Sequence, residues 1–131
     1  FDKILFKYPT DWKDPEYIQT SSGQSAEIKN NDDTQRIVIL SGINKGYTKE
    51  GLSGFINSLI ESGAKRLTLD NNEAAESKVA YQGSKITTVY VTSQDKTSQY
   101  SIALQVPEAY PDQEMDKLLN QILSTFKSSN Q

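Results

Sequence analysis

Three serine–lysine pairs have the spacing of a nucleophile and its base: Ser62 and Lys65, Ser93 and Lys96, Ser124 and Lys127. A lysine one helical turn beyond a serine can take up the hydroxyl proton, as in penicillin-binding enzymes. The S-D-N and K-T-G motifs that accompany that arrangement are missing, so the three pairs read as solvated surface residues. Paired acids offer a second chemistry. Asp32 and Asp33 share one polar turn and Asp70 opens another, which makes the three weak candidates for a calcium site. A calcium loop needs about six or more oxygens at set positions. No D-x-D-x-D-G pattern is present, and turns favour Asp and Asn for backbone reasons alone. A glycosidase needs two carboxyls flanking one bond, and nothing in the sequence selects a pair. The GINKG stretch at 42–46 follows an apolar run but lacks the G-x-x-x-x-G-K-[ST] spacing of a phosphate loop.

Composition narrows the chemistry further. The chain has no cysteine and no histidine. Their absence removes disulfides, thiol nucleophiles and thiolate metal sites. It also removes the usual general base near neutral pH and the commonest transition-metal ligand. A metal would have to be held by oxygen alone, which favours calcium or magnesium; no cofactor is expected. A net charge of −3 suits neither nucleic acid nor anionic lipid, since both call for a basic footprint. No apolar run approaches the ~20 residues that span a bilayer. A length of 131 residues fits one domain over 1–131, long enough to bury a core without metals or disulfides.

The elements that must position these residues follow from periodicity. KILFKY at 3–8 reads as a strand ended by Pro9, which cannot donate to a ladder. PTDWKDP then turns, and strands over 17–20 and 25–29 form a hairpin around SSGQ. The four consecutive apolar residues Ile37 to Leu40, within 36–42, predict a strand buried on both faces. Residues 48–62 predict a helix with Thr48 as N-cap, an apolar stripe of Leu52, Phe55, Ile56, Leu59 and Ile60, and a glycine cap at Gly63. The runs from Lys65, Glu73, Ser84 and Ser98 alternate with period 2 and predict strands joined by tight turns, one of them at Gln82–Gly83. A final helix is predicted over 111–127, with Met115, Leu118, Leu119, Ile122, Leu123 and Phe126 as its stripe and Lys127 at its C-terminal end. The expected fold is α+β: a central, mostly antiparallel sheet of about six or seven strands, with both amphipathic helices lying on it.

Seven tyrosines, at 8, 17, 47, 81, 90, 100 and 110, are the remaining recognition candidates. Most fall in strands, where half-buried Tyr is ordinary. Tyr47 and Tyr110 fall in loops before helices and are the candidates for contacting a partner or for stapling the helix start. The opening FKYPTDWK holds the only tryptophan, Trp12, placed to fold back over the sheet near the last helix.

The two ends of the chain together resemble the PsbP-like family. Tyr8, Pro9 and Trp12 match its Y-P-x-x-W opening, and Ile122, Leu123, Phe126 and Lys127 match its closing helix, which ends in S-F-K or similar. The resemblance implies an α/β/α sandwich with helices packed on both faces of the sheet, and a non-enzymatic role. Family members include extrinsic proteins of photosystem II, a nuclear protein that binds the GTPase Ran, and bacterial surface lipoproteins. The photosystem role depends on histidine and on a dedicated N-terminal segment that this chain lacks. Tyr8, Pro9, Trp12 and Phe126 carry over as packing residues rather than as a site.

The expectation is therefore a non-catalytic, extracytoplasmic binding or accessory domain, monomeric, belonging to a Gram-positive surface lipoprotein and either lipid-anchored at the cell surface or secreted. Its lysine- and asparagine-rich composition suits that source, and a start at Phe1 rather than Met is read as a trimmed N-terminus with a lipid anchor upstream as the only membrane link. The partner is expected to be a protein or an envelope component met at the sheet edges or the helix-flanking loops. The alternatives are a carboxylate-only hydrolase of cell-wall sugars and a calcium-stabilised adhesion domain.

Overall fold

A computed structural model describes residues 4–20, 23–43, 49–92 and 98–128. Tyr47, Thr48 and the Ser93–Lys96 pair lie outside them, as do residues 44–46 of GINKG and the side chain of Leu52. The described elements are nine strands and two helices: β1 (Ile4–Leu5), β2 (Glu16–Thr20), β3 (Gly23–Lys29), β4 (Arg36–Ile43), α1 (Lys49–Glu61), β5 (Lys65–Leu69), β6 (Asn72–Tyr81), β7 (Ser84–Thr92), β8 (Ser98–Pro107), α2 (Asp112–Leu123) and β9 (Lys127–Ser128). Seven strands make one antiparallel sheet in the order β2-β3-β4-β8-β7-β6-β5, and β1 pairs with β9 in a separate two-stranded sheet. With two helices, this is an α+β fold.

Register decides which side chains share a face. Ala26, Ile39, Ile102 and Val89 are cross-strand neighbours, and Ile28, Ile37, Leu104 and Thr87 form the next row. All eight are buried. Because strand side chains alternate, Tyr90 lies on the other face from Val89. The row through Tyr90 reads Arg66, Ala75, Tyr90, Ser101, Leu40, Ser25 and Ile18 across the sheet.

The Val89 face holds the main core. Met115, Leu119, Ile122 and Leu123 of α2, with Phe126 after it, join the same buried cluster as Ile39, Ile102 and Val89. These positions recur at helical spacing, so one side of α2 supplies them all. Proline fits the entry to this helix: Pro111 sits at the N-cap in an extended conformation, and Asp112 and Glu114 occupy the first turn, where the helix dipole favours acids. Residues of α1 contact β5, β6 and β7. Ile56 is fully buried, and the Phe55 ring meets Tyr90 edge-on at 5.7 Å. The Gly63 cap is as expected, with φ of 105° and its amide donating to the Ile60 carbonyl at 3.0 Å.

Three expectations need correction. The last helix stops at Leu123, short of Lys127. The amides of Thr125 and Phe126 turn back onto the Ile122 and Leu123 carbonyls, and the Ser124 hydroxyl donates to the Gln121 carbonyl. Local side-chain bonding of this kind competes with the helix ladder. Lys127 therefore lies in β9 opposite Leu5, 3.9 Å from Asp70, rather than at a helix end. The first strand stops at Leu5, so Phe6 and Tyr8 lie in irregular chain, with their rings tilted at 6.4 Å. Finally, β4 is not buried on both faces: Ile37 and Ile39 are buried, but Leu40 is 52 % exposed and Val38 is half-buried.

Candidate functional site

The acids singled out by sequence do not converge. Asp32 and Asp33 lie in the β3–β4 turn, whereas Asp70 lies in the β5–β6 turn at the opposite end of the sheet. Each acid has local work. Asp32 accepts from the Thr34 hydroxyl at 2.6 Å and the Thr34 amide at 3.2 Å, and those bonds hold its carboxyl below the usual range. Asp33 pairs with Lys13 at 2.7 Å, which lowers its pKa as well. Asp33, Asp70 and Asn71 all take positive φ, a conformation that Asp and Asn tolerate in tight turns. No group of three or more potential acidic ligands forms among the described residues.

Two other acids do come together, in a place the sequence did not single out. Asp112 and Asp116, one turn apart on α2, face Lys85 and Lys78 on the Val89 face of β7 and β6. Lys85 bonds Asp112 at 2.6 Å and also donates to the Tyr110 carbonyl, while Lys78 bonds Asp116 at 3.1 Å. Beneath the four charges is a cleft of about 260 Å³, with Thr87, Met115 and Ile86 in its lining. The hydrogen bond from Lys85 lowers the Asp112 pKa, and the hydrogen bond to Asp116 raises that of Lys78. Both shifts favour the ionised pair, the reverse of what a general acid or a neutral lysine nucleophile requires. Glu76 stands 4.0 Å from Lys78 as well, so two cations meet three anions, and the pairs to Asp112 and Asp116 work as a clamp between α2 and the sheet. The sequence signal was faint: Asp112 and Asp116 stand at i, i+4, and Lys78 and Lys85 flank the Gln82–Gly83 turn in phase with the buried face.

The segment from Lys7 to Pro9 packs where α2 ends. Trp12 and Tyr8 are half-buried against the core cluster. The Trp12 amide closes a turn onto the Pro9 carbonyl at 3.1 Å. The Lys7 amide donates to the Thr125 hydroxyl at 2.7 Å, and that hydroxyl donates to the Ile122 carbonyl at 2.8 Å. A cavity of about 280 Å³ remains along this seam, between Tyr8 and Pro9 on one side and Leu118 and Ile122 on the other.

Of the two tyrosines singled out, Tyr47 lies outside the described residues. Tyr110 is half-buried and packs on the core cluster, whereas Tyr17 and Tyr81, both in strands, are 63 % and 61 % exposed. Tyr81 shares the Tyr90 face with Ile18, Leu40 and Val79, which are 62 %, 52 % and 54 % exposed. This exposure falls in two groups in the register, Ile18 with Leu40 in one row across Ser25, and Val79 with Tyr81 further along β6. It was hidden in the sequence because alternation shows that two faces differ without showing which of them is covered. The serine–lysine pairs stay apart in role: Ser62 ends α1 with its amide on the Ser58 carbonyl, and Ser124 is spent on the Gln121 carbonyl.

No protein-family model matches this chain, and no curated protein is detectably similar to it. Its fold is similar to a crystal structure of a protein from Bacteroides thetaiotaomicron, with a TM-score of 0.63 and 19 % identity over 98 % of this chain. The chain spans 46 % of that protein's length. At that identity the likeness shows the α+β fold alone.

Proposed function

We propose that this is a non-catalytic binding domain that works outside the cytoplasm, as the folded part of a bacterial surface lipoprotein, and holds a protein or envelope partner. The observation that carries the binding role is the exposure of large apolar side chains at two places on the Tyr90 face, Ile18 with Leu40 and Val79 with Tyr81. Among the described residues, the three carboxyls with shifted pKa values, Asp32, Asp33 and Asp112, all shift downward. Carboxylate hydrolysis needs one acid pushed up beside another left ionised, so this pattern favours binding over catalysis.

The PsbP-like reading rests on the Tyr8, Pro9 and Trp12 motif, of which Tyr8 and Pro9 line a cavity with Leu118 and Ile122 of α2 and Trp12 packs on the core cluster, and on Phe126, which is buried. In this reading the two helices cap opposite faces of the sheet as an α/β/α sandwich. Supporting it, Met115 of α2 meets Thr87 while Phe55 of α1 meets Tyr90, and residues 87 and 90 differ in strand parity.

The test is capture from the native cell envelope, with wild type compared against Leu40→Lys. Loss of a specific partner on substitution, with the thermal melt unchanged, is the expected result. Equal capture by both proteins would refute the assignment of this face.

A further inference from the structure

We propose that β2 is a docking edge for an extended peptide, which adds as an eighth strand and sets a Lys or Arg across from Glu16 and an apolar residue across from Ile18. The proposal rests on the binding-domain reading and names the partner's chemistry.

Two strands end the sheet, β2 and β5, and they differ in kind. The β5 strand carries exposed Lys65 and Arg66 in succession, one on each face, and charges of this sort protect an edge from further pairing. Arg66 is also tied to Asn57 of α1 at 2.6 Å. The β2 strand, EYIQT, has neither a cation nor a proline.

The side chains of β2 state what would complete it. Glu16 lies directly opposite Glu27 in the register, an arrangement that destabilises a strand pair unless a cation intervenes. Glu27 has two, Lys29 at 3.4 Å and Arg36 at 3.2 Å. Glu16 has none among the described residues, and the nearby Lys13 is committed to Asp33. Two residues on, and on the same face, Ile18 is 62 % exposed and continues a row through Ser25 to Leu40. A strand added outside β2 extends that row. In antiparallel pairing its sequence reads apolar, any residue, then Lys or Arg, a pattern suited to β-augmentation.

A second copy of this chain fits less well. Paired antiparallel about Ile18, β2 sets Glu16 against Thr20 of its twin. No other register helps, because β2 contains no cation. Its five residues span roughly 17 Å, a short edge beside the ~1,200 Å² that a stable protein–protein interface buries.

The probe is a fluorescein-labelled nonapeptide, STVTVTKTS, with STVTVTETS as its charge-reversed partner. Binding is followed by anisotropy at low salt, and its location by amide hydrogen exchange. The lysine peptide is expected to slow exchange in Glu16–Thr20 and not in Lys65–Leu69. Glu16→Lys should weaken that peptide about tenfold and favour the glutamate peptide by a similar factor. Ile18→Lys should abolish binding while leaving the melt unchanged. Absence of protection at β2, equal protection at β5, or β2 protection that grows with protein concentration without peptide would each overturn the proposal; the last would assign the edge to self-association. If a native partner protects residues around Leu40 and Val79 but leaves β2 untouched, this proposal falls and the binding-domain reading stands. If the peptide docks on β2 while Leu40→Lys leaves capture intact, the opposite holds.

Discussion

The two faces of the sheet are built from the same strands, yet they meet different fates. On the Val89 face, the row Ala26, Ile39, Ile102 and Val89 is at most 1 % exposed. One residue along each strand, the row through Tyr90 runs from exposed Arg66 through buried Ala75 to Leu40 at 52 % and Ile18 at 62 %; on β2 both faces are open, since Tyr17, opposite Ala26, is 63 % exposed. Alternation sets up both rows; what covers them differs. Side chains of α2, Phe126 and the N-terminal aromatics join the core of the first row, whereas α1 contacts β5, β6 and β7. Among the described residues, the sheet is thus stabilised mainly through one face, and Leu40, Val79 and Tyr81 stay exposed on the other.

That contrast breaks most directly on paired substitutions in β8 and β4. Ile102→Ala removes a fully buried side chain and should cost about 2–5 kcal/mol in urea unfolding. Leu40→Ala, on an adjacent strand, should stay within about 0.5 kcal/mol of wild type. Comparable losses would mean that the Tyr90 face is as much core as the other.

Trp12 tests the edge of the covered face. Its ring is half-buried against the core cluster, so Trp12→Ala should cost about 2 kcal/mol, below the ~3–5 expected of a fully buried ring. A fully stable variant would show that the aromatic turn does not help cover the Val89 face.

Thr125 ties the two chain ends together beneath that cover, accepting from the Lys7 amide and donating to the Ile122 carbonyl. Thr125→Val should cost about 1 kcal/mol. It should also speed hydrogen exchange at Lys7 while leaving β8 unchanged, since removing one partner frees the local turn without touching the sheet. If exchange rises equally in β8, the clip is part of the global fold rather than a local latch.

Much of this architecture was legible because it depends on local rules. The strands from Asn72 to Pro107 follow from period-2 alternation, and the tight turn at Gln82–Gly83 is realised with φ of 48° and 80°. The stripe of α2 also follows from its spacing. The helix end was misplaced because the apolar period continues to Phe126, whereas the backbone obeys the hydroxyls of Ser124 and Thr125. Exposure of Leu40 was missed because four apolar residues in succession say nothing about whether a helix reaches them. The Lys78, Lys85, Asp112 and Asp116 cleft was missed for a different reason. Its charges come from three elements, and only the register of β6 on β7 and the seat of α2 bring them within bonding distance.

The smallest predicted effect concerns that clamp, which fastens α2 to the rim of the covered face. Lys85 lowers the Asp112 pKa below its ordinary 3.8. A carboxyl with a depressed folded-state pKa stabilises the fold fully above its unfolded value, and the contribution is lost as pH falls through the folded one. Lys78 is raised above 10.5, chiefly by its bond to Asp116, so its contribution is complete below 10.5 and is lost as pH rises through the higher value. The two windows overlap from mildly acidic to mildly alkaline pH, where the clamp is whole. Asp112→Asn should therefore lower the melting temperature slightly across that range, and the difference from wild type should vanish in strong acid. Added salt should shrink it, because the Asp112 carboxylate is exposed and its ion pair is screened. A difference that persists undiminished below the folded-state pKa of Asp112 would mean that the substitution acts through the start of α2. The cover of the Val89 face would then depend on helix packing alone, with the charged rim contributing nothing.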